Sequence, residues 1–417
     1  MADRWDIFTL DDFDIKGKTV ILRIDINSPL DPKSGRILDD HRIRSHLETI
    51  RDLDKSRLVI IAHQSRPGKN DFTTLEAHAR RMTQLLGKKV EYIDGLFSSH
   101  VRDRIMHMGM GEKLLLENAR FYSEETYLKG DPDMRKHKNT HIVQKLSSLA
   151  DYYVHDAFAA AHRSQPTLVG FTETLPSMAG RVMEKELKDM GRAFESDVEP
   201  KIAILGGMKA DDSIEVANNM LEDEVMDKIL MTGVAGNIFL MAAGHDLGEG
   251  NEKFLKSELP DYQRIVEEAR SLLDRWGEKI KIPSDVVAND DGERKELELD
   301  DLPTKDPIFD IGIDTIIDYT NEIDQAELII MNGPAGAFEI EEFSIGTTEL
   351  FRSVAHSDAF SIIGGGHSTA VVEKLDIDEE VDHISTGGGS CINFLAGKPL
   401  DGVEALMRSK KRYSRHH

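Results

Sequence analysis

The stretch Lys201–Lys209, KIAILGGMK, runs from a continuous apolar segment straight into a glycine pair and a lysine. An unbroken Ile/Ala/Leu run of this length reads as a strand buried on both faces, and glycines at its end read as a loop that can hold anions on backbone amides. The same plan recurs in KILMTG (Lys228–Gly233), ELIIMNGP (Glu327–Pro334) and AFSIIGGG (Ala359–Gly366). In the first half, TVILRIDI (Thr19–Ile26), RLVIIAH (Arg57–His63) and DYYVHDAF (Asp151–Phe158) read as buried strands, and LLLENARF (Leu114–Phe121) ends another. Helical patterns over 39–55 and 75–86 separate them. Apolar strands alternating with helices predict an α/β fold with two parallel sheets, each covered by helices on both faces.

Length supports two lobes, because 417 residues exceed what one core usually holds. The lobes are predicted at 1–180 and 199–399. A helix over 181–198 joins them, since Val182, Met183, Leu187, Met190 and Phe194 recur at helical spacing and Glu199-Pro200 then stops it. The net charge of -24 is uneven: residues 1–180 hold 27 Lys+Arg against 26 Asp+Glu, and residues 181–417 hold 25 against 50. That excess of acid excludes a nucleic-acid partner on electrostatic grounds. A single cysteine, Cys391, excludes an intrachain disulfide and a cysteine-rich metal site, and points to a reducing, cytoplasmic setting. The N-terminus lacks the basic-then-apolar layout of a signal peptide. Ile229–Gly244 is too short and too glycine-rich for a membrane span and reads as a buried helix. The basic tail RSKKRYSRHH carries no reading.

In open parallel sheets the ligand lies at the carboxyl ends of the strands, so the residues just after each apolar run matter most. In the first lobe these are Asp25 and Asn27, then His63 and Arg66, then Arg120, then His162 and Arg163, with Arg42 added from a helix start. Guanidinium groups bind phosphate and carboxylate in bidentate fashion, so this rim suits a small anion carrying both. Any one of these alone reads more often as a surface ion pair, and their coincidence at strand ends carries the argument. In the second lobe Lys209 stands where its ammonium can reach a transferring phosphoryl group, and Glu339 suits ribose hydroxyls. GGGHST, from Gly364, and STGGGS, from Ser385, each feed a helix start with amides for phosphate oxygens. Sharp turns also need glycine for steric reasons alone, which is the plainer reading of each cluster. Neither GxxxxGK[ST] nor GxGxxG is present, which argues against P-loop and dinucleotide-binding readings.

Taken in order, RIDINSP, AHQSRP, LLENARF, HRSQPTLVG, ILGGMK, NGPAGAFE, IGGGHST and ISTGGGSCINFLAGKPLDGVEAL resemble the motifs of phosphoglycerate kinases from about residue 19 to residue 406. GGGHST with GGMKADDS resembles the archaeal branch. The resemblance implies two Rossmann-like lobes and a reversible phosphoryl transfer between 1,3-bisphosphoglycerate with ADP and 3-phosphoglycerate with ATP, with Mg2+ accompanying the nucleotide. It implies that Asp25, Asn27, Arg42, His63, Arg66, Arg120 and Arg163 hold the glycerate, and that Lys209, Glu339, Gly365, Gly366, His367, Ser368, Gly388 and Gly389 serve the nucleotide. It also implies that the segment from about 400 to 417 packs back on the first lobe. The family default is a monomer, with dimers among archaeal relatives.

A substrate carboxylate is ionised near neutral pH and needs no general base to attack phosphorus. In-line positioning and charge neutralisation remain, and Arg42 with Lys209 are the expected catalytic cations, assembled by hinge closure. Two departures from the commoner family pattern stand out. His367 replaces an aspartate associated with magnesium, leaving the metal ligand unassigned, and Ser213 replaces a second lysine. The alternatives are a catalytically silent nucleotide-binding paralogue, which predicts loss of Lys209 or of the Arg/His set, and a kinase for another carboxylate, which substrate competition separates.

Overall fold

In a computed structural model describing residues 5–31, 33–259 and 261–414, the apolar runs become the central strands of two six-stranded sheets. The last three residues of the basic tail lie outside the described residues. The chain divides into two units, one made of residues up to Lys188 together with those from Pro399, the other of Asp189–Lys398. No helix among the described residues is long and apolar enough to cross a membrane.

The first sheet contains β1 (Thr19–Arg23), β2 (Arg57–Ile61), β3 (Val90–Tyr92), β4 (Lys113–Leu115), β5 (Tyr152–His155) and β6 (Ser177–Ala179). They pair in parallel in the order β3-β4-β2-β1-β5-β6. Alternate side chains serve opposite faces: Val20, Leu22, Leu58 and Ile60 join one core, and Ile21, Val59 and Ile61 join the other. That two-sided burial is why these strands read as unbroken apolar runs. Chain order reverses across β1, so the crevice beside its carboxyl end is open to a ligand.

The second sheet contains β7 (Lys201–Leu205), β8 (Lys228–Met231), β9 (Ile280–Lys281), β13 (Leu328–Asn332), β14 (Phe360–Gly364) and β15 (His383–Ile384), in the order β15-β14-β13-β7-β8-β9. Its reversal falls between β7 and β13. A three-stranded antiparallel sheet, β11-β10-β12, adds β10 (Asp285–Asp290), β11 (Glu293–Glu298) and β12 (Ile308–Ile311), which periodicity does not predict. Along β11 only Leu297 is buried, so ERKELE carries almost no apolar signal.

Three expectations are corrected. The stretch 229–244 is not one buried helix: β8 occupies its start, and the helix Gly233–Ala242 follows. Gly233 has φ +58°, and a Cβ there would stand 2.7 Å from the Gly207 nitrogen, so the chain must turn at that point. The pattern over 39–55 splits into His41–Ser45 and Leu47–Asp52, with buried His46 between them. The joining helix ends at Glu195 rather than 198, and the division between units falls within it.

The helix Asp401–Tyr413 belongs to the first unit. Ser164 Oγ donates to Asp401 Oδ2 at 2.6 Å, the Gly402 N–H donates to the Ala161 carbonyl at 2.8 Å, and Ser409 Oγ accepts from the Ser177 N–H at 3.1 Å. Its buried Leu406 and Val403 supply the apolar contact.

Two measurements check this packing. Gly402→Ala adds a Cβ 2.6 Å from Nε2 of fully buried His155 and 3.3 Å from the Ala161 backbone, so overpacking outweighs the gain in helix propensity. Urea unfolding is expected to show a loss of about 1–3 kcal/mol, and an unchanged midpoint would contradict the docking. The second concerns pH. Burial lowers the pKa of His78 to about 4, and burial with the charge of Arg23 lowers that of His155 to about 3. A histidine depressed in the folded state is fully stabilising above its unfolded pKa of about 6.5 and loses that contribution as pH falls toward the folded value. Urea midpoints are therefore expected to decline from about pH 6.5 to about pH 4; a flat profile there would contradict the burial of these rings.

Candidate active site

Four loops at the carboxyl ends of β1, β2, β4 and β5 converge in the first unit, and Arg23, the last residue of β1, is their centre. Its guanidinium is 1% exposed. Nε donates to Thr167 Oγ1 at 3.1 Å, Nη1 donates to the Ile24 carbonyl, and Nη2 lies 2.9 Å from His63 Nδ1. Because an arginine can only donate, His63 Nδ1 accepts and the ring proton resides on Nε2. Burial, with help from Arg23, Arg120 and Arg163, pushes the His63 pKa well below its ordinary value despite opposition from Asp25. His63 is thus a neutral donor aimed by a buried cation. Glu125 lies on the far side of Thr167, accepting from its N–H at 3.0 Å and its hydroxyl at 2.5 Å, and burial raises its pKa although Arg23 opposes the rise.

Asp25 is also buried. Burial would raise its pKa, but Arg42, the Asn27 N–H and Arg23 together hold it below the ordinary carboxylate range. Arg42 Nη1 reaches Asp25 Oδ2 at 2.6 Å. Asn27 Oδ1 accepts from the Ser65 N–H at 2.7 Å, and Arg120 Nη1 donates to the Ser65 carbonyl. Ser65 has φ +55°, a left-handed conformation costly for a residue with a Cβ, and these two contacts with the Asp71 carboxylate hold it there. The strain therefore sits where the loops after β1, β2 and β4 are tied together.

The remaining cations repel one another. Burial lowers the Arg120 pKa to about 10, and Arg163 and Arg23 add to the fall. Arg163 is lowered by burial and by Arg23, Arg42 and Arg66, with Asp25 opposing; its Nε donates to His162 Nε2 at 3.0 Å. His162, whose pKa burial and Arg163 lower to about 4, acts here as an acceptor. Lys129 is lowered by burial and then by Arg163, Arg120 and Arg66, which places its charge on the same rim. Asp25 and Glu125 do not balance these cations, and such crowding is relieved by an anionic ligand. The structure brings Asp25, Asn27, Arg42, His63, Arg66, Arg120 and Arg163 to one rim. Sequence reasoning missed Arg23, Glu125 and Lys129. A charge ending the otherwise apolar run TVILR was the available signal for Arg23.

In the second unit a cavity of about 290 Å³ lies at the switch point between β7 and β13. Gly206, Gly207, Lys209, Asp212, Asn332, Gly333, Gly365 to Ser368, Gly388 and Gly389 line it. Steric need explains part of its glycine content: a Cβ on Gly333 would lie 2.4 Å from the Gly206 carbonyl oxygen, and one on Gly365 would lie 2.5 Å from Asn332 Oδ1. Gly366 is different. A Cβ there meets nothing within 4 Å, so the absent side chain leaves room beside the first amides of the helix Gly366–Leu375. Ser368 is fully buried and its Oγ accepts from the Gly333 N–H at 2.8 Å, so its hydroxyl staples the β13 and β14 loops together. Ser213 is likewise internal, its Oγ donating to the Gly206 carbonyl at 3.4 Å. Lys209 extends into solvent with its ammonium 3.8 Å from Asp212 Oδ2.

A second cavity of about 480 Å³ shares Gly207, Met208 and His367 with the first and continues past Val286, Phe309 and Glu339. Its walls are largely apolar, as a heterocycle requires. Strands β10 and β12 of the antiparallel sheet line it through Val286, Ile308 and Ile311. No cluster of three or more His, Cys, Asp or Glu able to hold a metal ion occurs among the described residues.

Residues 10–398 match the family model described as phosphoglycerate kinase. A phosphoglycerate kinase of Methanothermus fervidus is 47% identical over 411 residues, spanning 98% of this chain and 99% of its own length. One of Methanothermobacter thermautotrophicus is 48% identical over 404 residues, 96% of this chain and 97% of its own. The crystal structure of a phosphoglycerate kinase from Pyrococcus horikoshii superposes with a TM-score of 0.89 at 42% identity, covering 97% of this chain and all of that one. With its motifs, two parallel sheets and near-complete coverage by these relatives, the chain belongs to the phosphoglycerate kinase family.

Proposed function

We infer that the chain carries out its family's reaction, reversible phosphoryl transfer between 1,3-bisphosphoglycerate with ADP and 3-phosphoglycerate with ATP, by direct in-line attack of a carboxylate on phosphorus. The observation that carries this is the rim of crowded cations around Arg23, which suits a small ligand with two anionic ends. Arg66, Arg120 and Arg163 supply the density of positive charge that a phosphate needs. Arg42, now paired with Asp25, can exchange that partner for the ligand's carboxylate, and Asp25 and Asn27 take the hydroxyl between the two anionic ends. His63 contributes its Nε2–H as a neutral donor and moves no proton.

In the second unit the amides around Gly366 and Gly389, with Lys209, serve the nucleotide phosphates. Glu339 serves the ribose, and the apolar cavity takes the base. Magnesium neutralises phosphate charge in reactions of this type. The donor set fits it through Asp212, a carboxylate lining the phosphate cavity, whereas the imidazole of His367 is a poor ligand for a hard cation. Burial, reinforced by Asp211, raises the Asp212 pKa, and Lys209 opposes that rise, as expected of a carboxylate short of positive charge.

No general base is required, because the attacking carboxylate is already ionised. The protein must instead align donor and acceptor, neutralise the transferring group and exclude water that would hydrolyse the acyl phosphate. A cytoplasmic setting fits this metabolism.

A coupled assay of ATP-dependent 3-phosphoglycerate phosphorylation tests the assignment. Arg42→Ala and Lys209→Ala are each expected to lose about 10²–10³-fold in kcat, the usual consequence of removing one transition-state donor. A change confined to KM in both variants would contradict their catalytic role.

A further inference from the structure

His46 is buried, 3% exposed, at the junction of the short helices His41–Ser45 and Leu47–Asp52. Its Nε2 lies 3.1 Å from the Asp25 amide nitrogen and its Nδ1 lies 2.7 Å from Asp156 Oδ2. In the Nδ1–H tautomer the ring donates to Asp156 and accepts from the Asp25 N–H, so one side chain joins the two carboxylate-bearing loops after β1 and β5. Asp156 is fully buried and turns its other oxygen to the start of the linker helix. Oδ1 accepts from the Val182 N–H at 2.9 Å and the Met183 N–H at 3.3 Å. A Cβ on Gly180 would stand 2.3 Å from that oxygen, so this close approach requires glycine.

The same segment holds the helix from a second side. Thr49 Oγ1 accepts from the Arg181 N–H at 2.9 Å, and Arg181 Nε donates to Asp52 at 2.8 Å. Residues 42–52 thus carry the guanidinium paired with Asp25 at one end, the His46 bridge in the middle, and grips on Arg181 at the other. First-turn amides of a helix have no intrahelical partner, so Val182 and Met183 depend on Asp156 for theirs.

We propose that His46 and Asp156 are positioning residues that couple occupancy of the anion rim to the first turn of the linker helix. The inference rests on the reading of Arg42 and Asp25 as ligand-binding groups. A ligand that draws Arg42 away breaks its 2.6 Å pair with Asp25. Asp25, held through its backbone on His46, then transmits the displacement to Asp156 and to the helix amides through a contiguous chain of hydrogen bonds. Because coupling is reciprocal, ordering of the helix start in turn favours the ligand-bound rim.

Hydrogen–deuterium exchange of the full chain, read on a peptide spanning residues 178–187 with and without saturating 3-phosphoglycerate, tests the coupling. In the wild type the ligand is expected to slow exchange there by about fivefold or more. In His46→Ala that slowing is lost while calorimetry still records 3-phosphoglycerate binding. His46→Asn, polar but too short to bridge Asp25 and Asp156, gives the same result and decides the question where the alanine variant does not fold. Slowing that persists in a folded, ligand-binding variant overturns the proposal, as does a wild type that binds without slowing. A wild type that does not bind 3-phosphoglycerate overturns the reading of the rim, and the coupling with it.

Discussion

A guanidinium buried at the end of a central strand is costly unless its surroundings compensate, and the anion rim is organised around that constraint. Arg23 cannot lose its charge, so every neighbour answers to it. Thr167 and the Ile24 carbonyl accept hydrogen bonds from it, Glu125 lies beyond Thr167, and His63 turns a lone pair toward it. That last contact fixes which imidazole nitrogen carries hydrogen, and so turns a potential base into a donor. Asp25 is in turn held ionised by the cations that gather around it. The rim is therefore preorganised for an anion before one arrives, at the cost of repulsion among Arg120, Arg163, Arg66 and Lys129 that a bound anion offsets.

The proposed nucleotide side solves a different problem. Its phosphates need donors packed closely against backbone, and glycines from the loops after β7, β8, β13 and β14 let those loops approach within a Cβ's width of one another. Ser368, expected to serve the nucleotide directly, and Ser213 spend their hydroxyls holding this assembly together. The replacement of a second lysine by Ser213 thus trades an exposed charge for an internal brace.

Much of the fold was legible because strands buried on both faces leave continuous apolar runs, and because strand ends in such sheets are where loops must do chemistry. Residue types at those ends could be read directly, but their relations could not. Arg23 looked like the polar margin of a strand, since nothing in TVILR shows that the side chain turns inward. The antiparallel sheet was hidden because β11 buries little more than Leu297. His46 fell inside what periodicity read as one helix, where a histidine carries no signal of its own. Asp156 and Gly180 lie 110 and 134 residues from His46, and only the folded chain shows that they belong to one arrangement.

The rim's hold on a ligand depends on the buried charge of Arg23. Removing one buried charge from its hydrogen-bond partners costs stability, so Arg23→Met is judged on the binding of its folded fraction. Calorimetric titration of 3-phosphoglycerate into the wild type and into this variant, with unfolding followed in parallel, is the most direct measurement. The variant is expected to fold with reduced stability and to lose about tenfold or more in affinity. A folded variant that binds 3-phosphoglycerate as tightly as the wild type would contradict that dependence.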